Sequence, residues 1–312
     1  MGIESGFRSG TGEPVTSGGV GWATIGYRAR MPVAVVTDST AYLPDELRGT
    51  YDMTVVPLTV VINGTDGLEG LEIHPAEVAQ ALRARRHTVS TSRPAPSQFA
   101  EAYRKLLEAG ADGIVSVHLS AKLSGTFEAA SMAAAELGSK VQVVDSGTTA
   151  MGLGFTALAA ASAAAEDQDL DSVRQEAVTH AANVSTLFYV DTLEYLRRGG
   201  RIGAASALLG TALSVKPILH VVDGAIVVRD KVRTAGRALA KLVELAVDAS
   251  GDGEVDIAVH HLEAQDRATA LADAVAIRLG DQMRDCYITE LGAVVAAHVG
   301  PGVAGVVVHR RP

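Results

Sequence analysis

The sequence predicts an α/β fold, with a doubly wound, mostly parallel sheet in the N-terminal half and an α+β domain with a mixed or antiparallel sheet in the C-terminal half. Between residues 31 and 166, short apolar runs alternate with helical patterns, which is typical of a parallel sheet covered on both faces. In the second half, Asp223-Gly224 lies between two β-branched runs, and this pair favours a hairpin with a type I′ turn. The length of 312 residues suits two such domains.

In the first half, each predicted strand is a short apolar run that is followed by a helical pattern. Strands are predicted at Val33–Thr37, Met53–Ile62, Gly113–Leu119 and Val141–Asp145. Helices are predicted at Pro44–Arg48, Pro75–Arg85, Ser97–Ala109, Gly125–Leu137 and Met151–Ala165. The turn signal Asn63-Gly64 ends the second strand. In a sheet of this kind, ligands bind beyond the carboxyl ends of the strands.

The second half has a different pattern, because a hairpin is combined with helices. Strands are predicted at Thr186–Val190, Ile218–Val222, Ala225–Val228, Val255–His260, Tyr287–Leu291 and Val303–His309. Helices are predicted at Asp171–Asn183, Ala235–Ala249 and Ala264–Leu279. The polar run from Glu166 to Asp169 marks the boundary, so the predicted domains are 31–168 and 169–312.

Residues 1–30 differ from the rest of the chain. They contain eight glycines, no hydrophobic periodicity and no apolar core of a secretory signal. We therefore predict a flexible N-terminal extension that contributes nothing to stability.

Composition excludes several classes of protein. A net charge of −9 and only 4% aromatic residues argue against a nucleic-acid-binding protein. The single cysteine, Cys286, cannot form an internal disulfide, and a reducing, cytoplasmic location fits it. No apolar stretch is long enough to span a membrane. The nine histidines show no metal-ligand spacing, and no ATP-binding P-loop occurs, so neither a metal site nor intrinsic ATP binding is expected.

Small hydroxyl residues follow several predicted strands of the first half. These clusters are Asp38-Ser39-Thr40, the loop from Thr91 to Pro96, the loop from Ser120 to Thr126, and Ser146-Gly147-Thr148-Thr149. Each cluster alone is more simply explained as a helix N-cap. Together, hydroxyls and free N–H groups at one edge of the sheet could bind a carboxylate or a phosphate without an ion pair. Gly125 has no Cβ, so a ligand oxygen could approach its backbone N–H.

A basic segment lies between Tyr195 and Lys241, where nine basic residues are opposed only by Asp223 and Asp230. A solvated surface explains such a segment about as well as a site that handles phosphate. Arg201 follows the Gly199-Gly200 turn, which could direct its guanidinium at an anion.

His298 is predicted to lie in a loop among glycines, where a histidine hydrogen-bonded within a turn is the simpler explanation. No Gly-x-Ser-x-Gly motif for a serine nucleophile is present. An esterase or acyltransferase that uses Ser124 or Thr91 with His298 therefore stays the alternative function.

Seven short motifs, in this order along the chain from Met31 onward, resemble the DegV family. They are Thr37-Asp38-Ser39-Thr40, Thr91-Ser92-Arg93-Pro94, Leu123-Ser124-Gly125-Thr126, Gly199-Gly200-Arg201-Ile202, Lys216-Pro217-Ile218-Leu219, Lys231-Val232-Arg233 and His298-Val299-Gly300-Pro301-Gly302. One departure is Arg93-Pro94-Ala95, where the family commonly has Gln-Pro-Ser. This arginine brings a new charge to the loop.

The resemblance implies a lipid-binding protein that holds one long-chain fatty acid between two domains, with no other cofactor. It implies a fatty-acid-binding subunit of a bacterial fatty acid kinase, not a complete enzyme, whose ATP-carrying partner converts the carboxylate to an acyl-phosphate for phospholipid synthesis. By this likeness Ser124 and the Gly125 N–H bind the carboxylate, and Thr91 and His298 form the adjoining hydrogen-bond network. Arg201 and Arg233 correspond to arginines near the phosphoryl-transfer site that face the partner.

Overall fold

The computed structural model describes residues 33–84, 88–208 and 215–312. The predicted flexible extension at residues 1–30 lies outside these residues. The first half contains, in order, β1 (Ala34–Asp38), α1 (Asp45–Arg48), β2 (Met53–Val56), β3 (Thr59–Ile62), β4 (Thr65–Leu68), α2 (Pro75–Arg83), β5 (Val89–Ser92), α3 (Pro96–Glu108), β6 (Ile114–His118), α4 (Thr126–Ala135), β7 (Val141–Asp145) and α5 (Met151–Ala165).

The second half follows in the same way. It contains α6 (Leu170–Ala182), β8 (Val184–Tyr189), α7 (Glu194–Arg198), β9 (Lys216–Val222), β10 (Ala225–Val232), α8 (Ala235–Ser250), β11 (Val255–His261), α9 (Gln265–Leu279), β12 (Met283–Glu290), α10 (Ala293–Val299) and β13 (Ala304–Arg310).

A four-stranded parallel sheet, in the order β2-β1-β6-β7, is built from the first half. Side chains of α3 and α4 pack on one face of this sheet, and those of α5 and α6 pack on the other. Both faces of the sheet are therefore covered, and the two central strands, β1 and β6, are almost entirely buried, which explains why they are mainly apolar. The predicted doubly wound sheet is confirmed.

The extended stretch predicted at Met53–Ile62 is in fact two strands that belong to different sheets. β2 joins the parallel sheet, whereas β3 lies between β4 and β5 in a separate three-stranded antiparallel sheet. Asn63 and Gly64 both have positive φ, 54° and 84°, as the hairpin turn between β3 and β4 requires.

A six-stranded mixed sheet, in the order β10-β9-β8-β13-β11-β12, is built from the second half. Its neighbouring strands are antiparallel except for β11 and β12. Asp223 and Gly224 form the predicted turn between β9 and β10, with φ of 48° and 77°. The prediction of a mixed or antiparallel sheet with helices is confirmed, and α8 and α9 cover one of its faces.

Helix α5 lies against both large sheets. Its side chains share one core cluster with Val35 and Val115 of the parallel sheet and with Ala258 and Val307 of the mixed sheet. This burial explains why the helix is apolar on all sides. Gly154 permits α5 to pack closely against the backbone at Ala41, because a Cβ on Gly154 would lie 2.7 Å from the Ala41 carbonyl oxygen. α6 packs in the same cluster, and the domain boundary at residue 168 stays a prediction.

Candidate functional site

The candidate site is a cavity lined by one face of the mixed sheet, by α10 and by the loops that follow β5 and β6. It offers about 100 Å³ to the centres of water-sized spheres, so the room for the atoms of a ligand is larger. Most of its lining is apolar and includes Leu58, Leu187, Phe188, Leu196, Ile226, Val294 and Val299. No side chain of α5 lines it, so that helix is core.

Four of the predicted site residues meet at this cavity. They come from four separate segments: Thr91 from β5, Ser124 from the loop between β6 and α4, Arg201 from the turn after α7, and His298 from α10. The side chain of Arg93 also lines the cavity. Polar groups are thus grouped beside an otherwise apolar space, which is the general form of a site for an amphipathic ligand.

Gly125 and Arg233 do not line the cavity. Gly125 is the N-cap residue of α4, and a Cβ there would lie 2.8 Å from Cδ of Arg93. Nη1 of Arg93 also donates a hydrogen bond of 3.4 Å to the Gly125 carbonyl. Arg93, which departs from the family motif, therefore occupies the space that the missing Cβ was expected to leave for a ligand. Arg233 is exposed just beyond β10.

His298 lies in a helix, so its predicted position in a loop was wrong. α10 extends over Ala293–Val299 and ends at Gly300, whose φ is 74°. Nε2 of His298 lies 2.8 Å from Oγ1 of Thr91. Burial, and then the charge of Arg201, lower the pKa of His298 to about 4, so the ring is neutral at pH 7.

The other ring nitrogen of His298, Nδ1, is buried and has no hydrogen-bond partner among the described residues. Gly199 lies directly against it, because a Cβ on Gly199 would collide with the ring. If Nε2 carries the proton, it donates to Thr91 and leaves the Thr91 hydroxyl hydrogen available to a ligand.

Two buried side chains that the sequence analysis missed hold the first turn of α10. Oε1 of Glu69 accepts a 2.7 Å hydrogen bond from the backbone N–H of Val294, and the Tyr42 hydroxyl accepts one of 3.1 Å from Val295. Tyr42 and Ser39 donate to the Glu69 carboxylate in turn. Burial raises the pKa of Glu69 above its usual value. Both side chains are remote from α10 in sequence, so no local motif could reveal them.

Ser124 and Arg201 belong to one connected set of loops. Oγ of Ser124 lies 2.9 Å from Oγ1 of Thr126 and also accepts from the Thr126 N–H. Nε of Arg201 donates to the Leu123 carbonyl at 2.9 Å, and its Nη1 donates to the Gly199 carbonyl at 2.6 Å. Arg201 therefore joins the Ser124 loop to the turn beside His298.

The hydroxyl cluster after β1 is structural. Oδ1 of Asp38 accepts from the N–H and the hydroxyl of Thr40, at 3.0 and 2.6 Å. Its Oδ2 accepts from Nδ1 of His118 and from the N–H of Leu119, both at 3.0 Å. The simpler interpretation of this cluster, a helix cap, is confirmed, since Asp38 caps the turn that follows β1. Thr149, in contrast, lines the cavity.

A family model described as "Uncharacterised protein, DegV family" matches residues 32–311. The chain belongs to the DegV family. A DegV domain-containing protein of Streptomyces coelicolor is 55% identical to it over 279 residues, which are 89% of this chain and 99% of the relative.

Solved DegV structures have the same fold. A Thermus thermophilus DegV family protein, described as binding fatty acid, matches with a TM-score of 0.85 at 35% identity, over 90% of this chain and all of that one. Bacillus subtilis DegV, described as a fatty acid binding protein, matches with a TM-score of 0.80 at 31% identity and the same coverage.

Ion pairs compensate much of the basic segment in this DegV chain. The pairs are Arg197 and Arg198 with Glu194, Lys216 with Asp191, and Lys241 with Glu244. These acidic partners lie outside the segment that was counted, so the structure holds a smaller local excess of charge than the sequence suggests. Arg201 differs from the paired cations, because it lines the cavity.

The described residues contain neither a membrane-spanning helix nor a candidate metal cluster. No helix in residues 33–84, 88–208 or 215–312 is both long and apolar enough to cross a membrane. The same residues contain no group of three or more His, Cys, Asp or Glu side chains that could hold a metal ion, and the expectation of no metal stays a prediction.

Proposed function

We propose that this chain binds one long-chain fatty acid in the cavity, with the carboxylate at Thr91 and Ser124 and the acyl chain along the apolar wall. The observation that supports this most strongly is the cavity itself, in which donors from four segments are grouped beside apolar side chains. The fatty-acid binding described for the Thermus and Bacillus proteins supports the same ligand.

The apolar wall accounts for the acyl chain. Burial of about 14 methylenes at ~0.8 kcal/mol each would contribute about 11 kcal/mol. Association costs roughly 4–15 kcal/mol, so tight binding also requires an enclosed site and a satisfied head group. Leu196 and Leu219 are fully buried in the same core cluster as several residues of the cavity wall, so this apolar wall is continuous with the core.

Neutral donors account for the carboxylate. An unpaired buried carboxylate costs several kcal/mol, and the hydroxyls of Thr91 and Ser124 can replace its water. Because these groups are uncharged, they leave the oxygen nucleophilic. His298 is neutral at pH 7, and its Nε2 is hydrogen-bonded to the Thr91 hydroxyl.

We extend the proposal to a partner kinase that carries ATP, as the DegV resemblance implies. In that step a carboxylate oxygen attacks the γ-phosphorus of ATP, and the bond between that phosphorus and the β,γ-bridging oxygen breaks, which gives an acyl-phosphate and ADP. Phosphoryl transfer depends on positioned positive charge. Arg201 lines the cavity and donates two of its N–H groups to loop carbonyls. Its other N–H groups have no partner among the described residues, so they could bind a phosphoryl group.

Native mass spectrometry tests the binding proposal. We expect the purified protein to carry a fatty acid, or to take one up after lipid removal, and Ser124→Ala to weaken that binding several-fold. Ser97→Ala, an exposed serine at the start of α3, is the matched control. Protein that neither co-purifies with nor takes up fatty acid would refute the proposal.

The alternative, an esterase or acyltransferase, has one observation in its favour. The distance of 2.8 Å between Thr91 Oγ1 and His298 Nε2 suits a nucleophile and its base. However, no carboxylate orients the ring among the described residues, since Nδ1 has no partner, and Ser124 pairs with Thr126 instead. Turnover of acyl esters by the isolated chain, abolished in His298→Ala, would favour this function over the binding role.

A further inference from the structure

Gly305 lies in β13 on the sheet wall of the cavity. It pairs directly with Phe188 of β8 and with His260 of β11, and both of these residues also line the cavity. Because directly opposed residues on neighbouring strands face the same side of a sheet, a side chain at position 305 would point into the cavity.

The backbone does not require glycine at this position. Gly305 does not have a positive φ, so any amino acid can adopt its backbone conformation. A Cβ there would lie 3.3 Å from the Leu187 carbonyl oxygen and from Cβ of Phe188, so these neighbours would have to move by a few tenths of an ångström. Glycine within a strand often marks a close approach by a ligand, and here the space that it leaves belongs to the cavity.

We propose that Gly305 sets how much acyl chain the cavity holds, and with it the chain-length preference of the protein. This inference rests on the proposed fatty-acid binding. The branched side chain of valine would project into the cavity and occupy space that part of an acyl chain could otherwise fill. Each methylene of the ligand that is excluded lowers the affinity about fourfold.

The test measures affinities for the saturated series from dodecanoic to octadecanoic acid with lipid-free wild type, Gly305→Ala and Gly305→Val. We expect Gly305→Val to bind dodecanoic acid within about twofold of wild type and octadecanoic acid at least about tenfold more weakly. Gly305→Ala should show a smaller shift in the same direction. Gly236→Ala is the matched control, because a Cβ at Gly236 in α8 would meet no atom within 4 Å.

An unchanged length profile in both variants, or an equal loss at every chain length, would overturn this inference while leaving fatty-acid binding intact. If Gly305→Val does not fold, the shift in Gly305→Ala decides the question. If wild type binds no member of the series, the proposed function fails and the inference fails with it.

Discussion

His118 and His298 are each hydrogen-bonded to a hydroxyl, and they differ in what the other ring nitrogen contacts. His118 lies between Ser116, at 2.7 Å, and Asp38, at 3.0 Å, and all three side chains are fully buried. His298 has Thr91 on one side and, within the described part of the chain, no hydrogen-bond partner on the other. The first group resembles a catalytic triad and the second does not.

The surroundings of the two histidines indicate that the group around His118 is not catalytic. Ser116 Oγ also accepts a hydrogen bond from the Tyr103 hydroxyl, and with no exposure it cannot meet a substrate. The complete network therefore fastens the core below the binding loops. His298 lines the cavity, and its Nδ1 has no hydrogen-bond partner among the described residues, so this nitrogen could still bond to water or to a ligand. The fully bonded group around His118 is therefore structural, whereas His298 lies at the proposed binding site.

Asp38→Asn is expected to have the largest effect. The amide must turn an N–H group toward at least one donor that the carboxylate now accepts, inside a fully buried site. We expect the free energy of unfolding to fall by about 3 kcal/mol or more, as measured by urea denaturation. Asp252→Asn, at an exposed residue, should change it by less than about 0.5 kcal/mol. A loss below about 1 kcal/mol for Asp38→Asn would contradict the structural role.

The sequence predicted best the elements whose pattern is local. α5 at Met151–Ala165 and β7 at Val141–Asp145 match residue for residue, because α5 is apolar along its length and β7 is a short valine-rich segment. β4 and β5 were missed since they are short and half polar, and α10 because glycines flank seven residues. These elements depend on tertiary contacts that no short window contains.

The candidate site divides in the same way. Thr91, Ser124, Arg201 and His298 could be named from motifs, and the fold brings them to one cavity. The supports of α10 could not be named, because Glu69 and Tyr42 lie 225 and 253 positions from the N–H groups that they cap. Likewise, the Arg93 side chain against Gly125 is visible only in three dimensions.

The low pKa of His298 predicts that the stability of the protein depends on pH. The pKa of His298 is lowered to about 4 by burial, whereas an unfolded histidine titrates near its ordinary value of about 6.5. Between these values the unfolded chain binds more protons, so the stability due to neutral His298 is present above pH 6.5 and is lost as the pH falls toward 4.

Between pH 7 and pH 4.5, the free energy of unfolding should therefore fall by about 2 kcal/mol less in His298→Gln than in wild type. Urea denaturation at both pH values measures this difference. His180 and His260, whose pKa values are also lowered to about 4, contribute equally in both proteins and cancel in the difference. Parallel pH profiles for the two proteins would show that His298 is not buried as a neutral ring.

Thr91→Val should have the smallest effect, and one confined to ligand binding. Valine keeps the shape of threonine but removes the hydroxyl that contacts His298 Nε2. Because this hydroxyl faces a cavity and not the core, we expect the free energy of unfolding to change by less than about 1 kcal/mol. Fatty-acid affinity should fall about tenfold, which corresponds to ~1.4 kcal/mol. Titration of lipid-free protein with a fluorescent fatty acid measures this change.

The exposed Thr65→Val in β4 is the matched control for the same substitution, and it should leave affinity unchanged. Since Thr91 and His298 act through one hydrogen bond, adding His298→Ala to Thr91→Val should cost less than the two single losses combined. Strict additivity would mean that the two residues contact the ligand independently. An affinity of Thr91→Val equal to that of wild type would remove the threonine from the head-group site, and the contrast with the fully partnered His118 would then have no functional meaning.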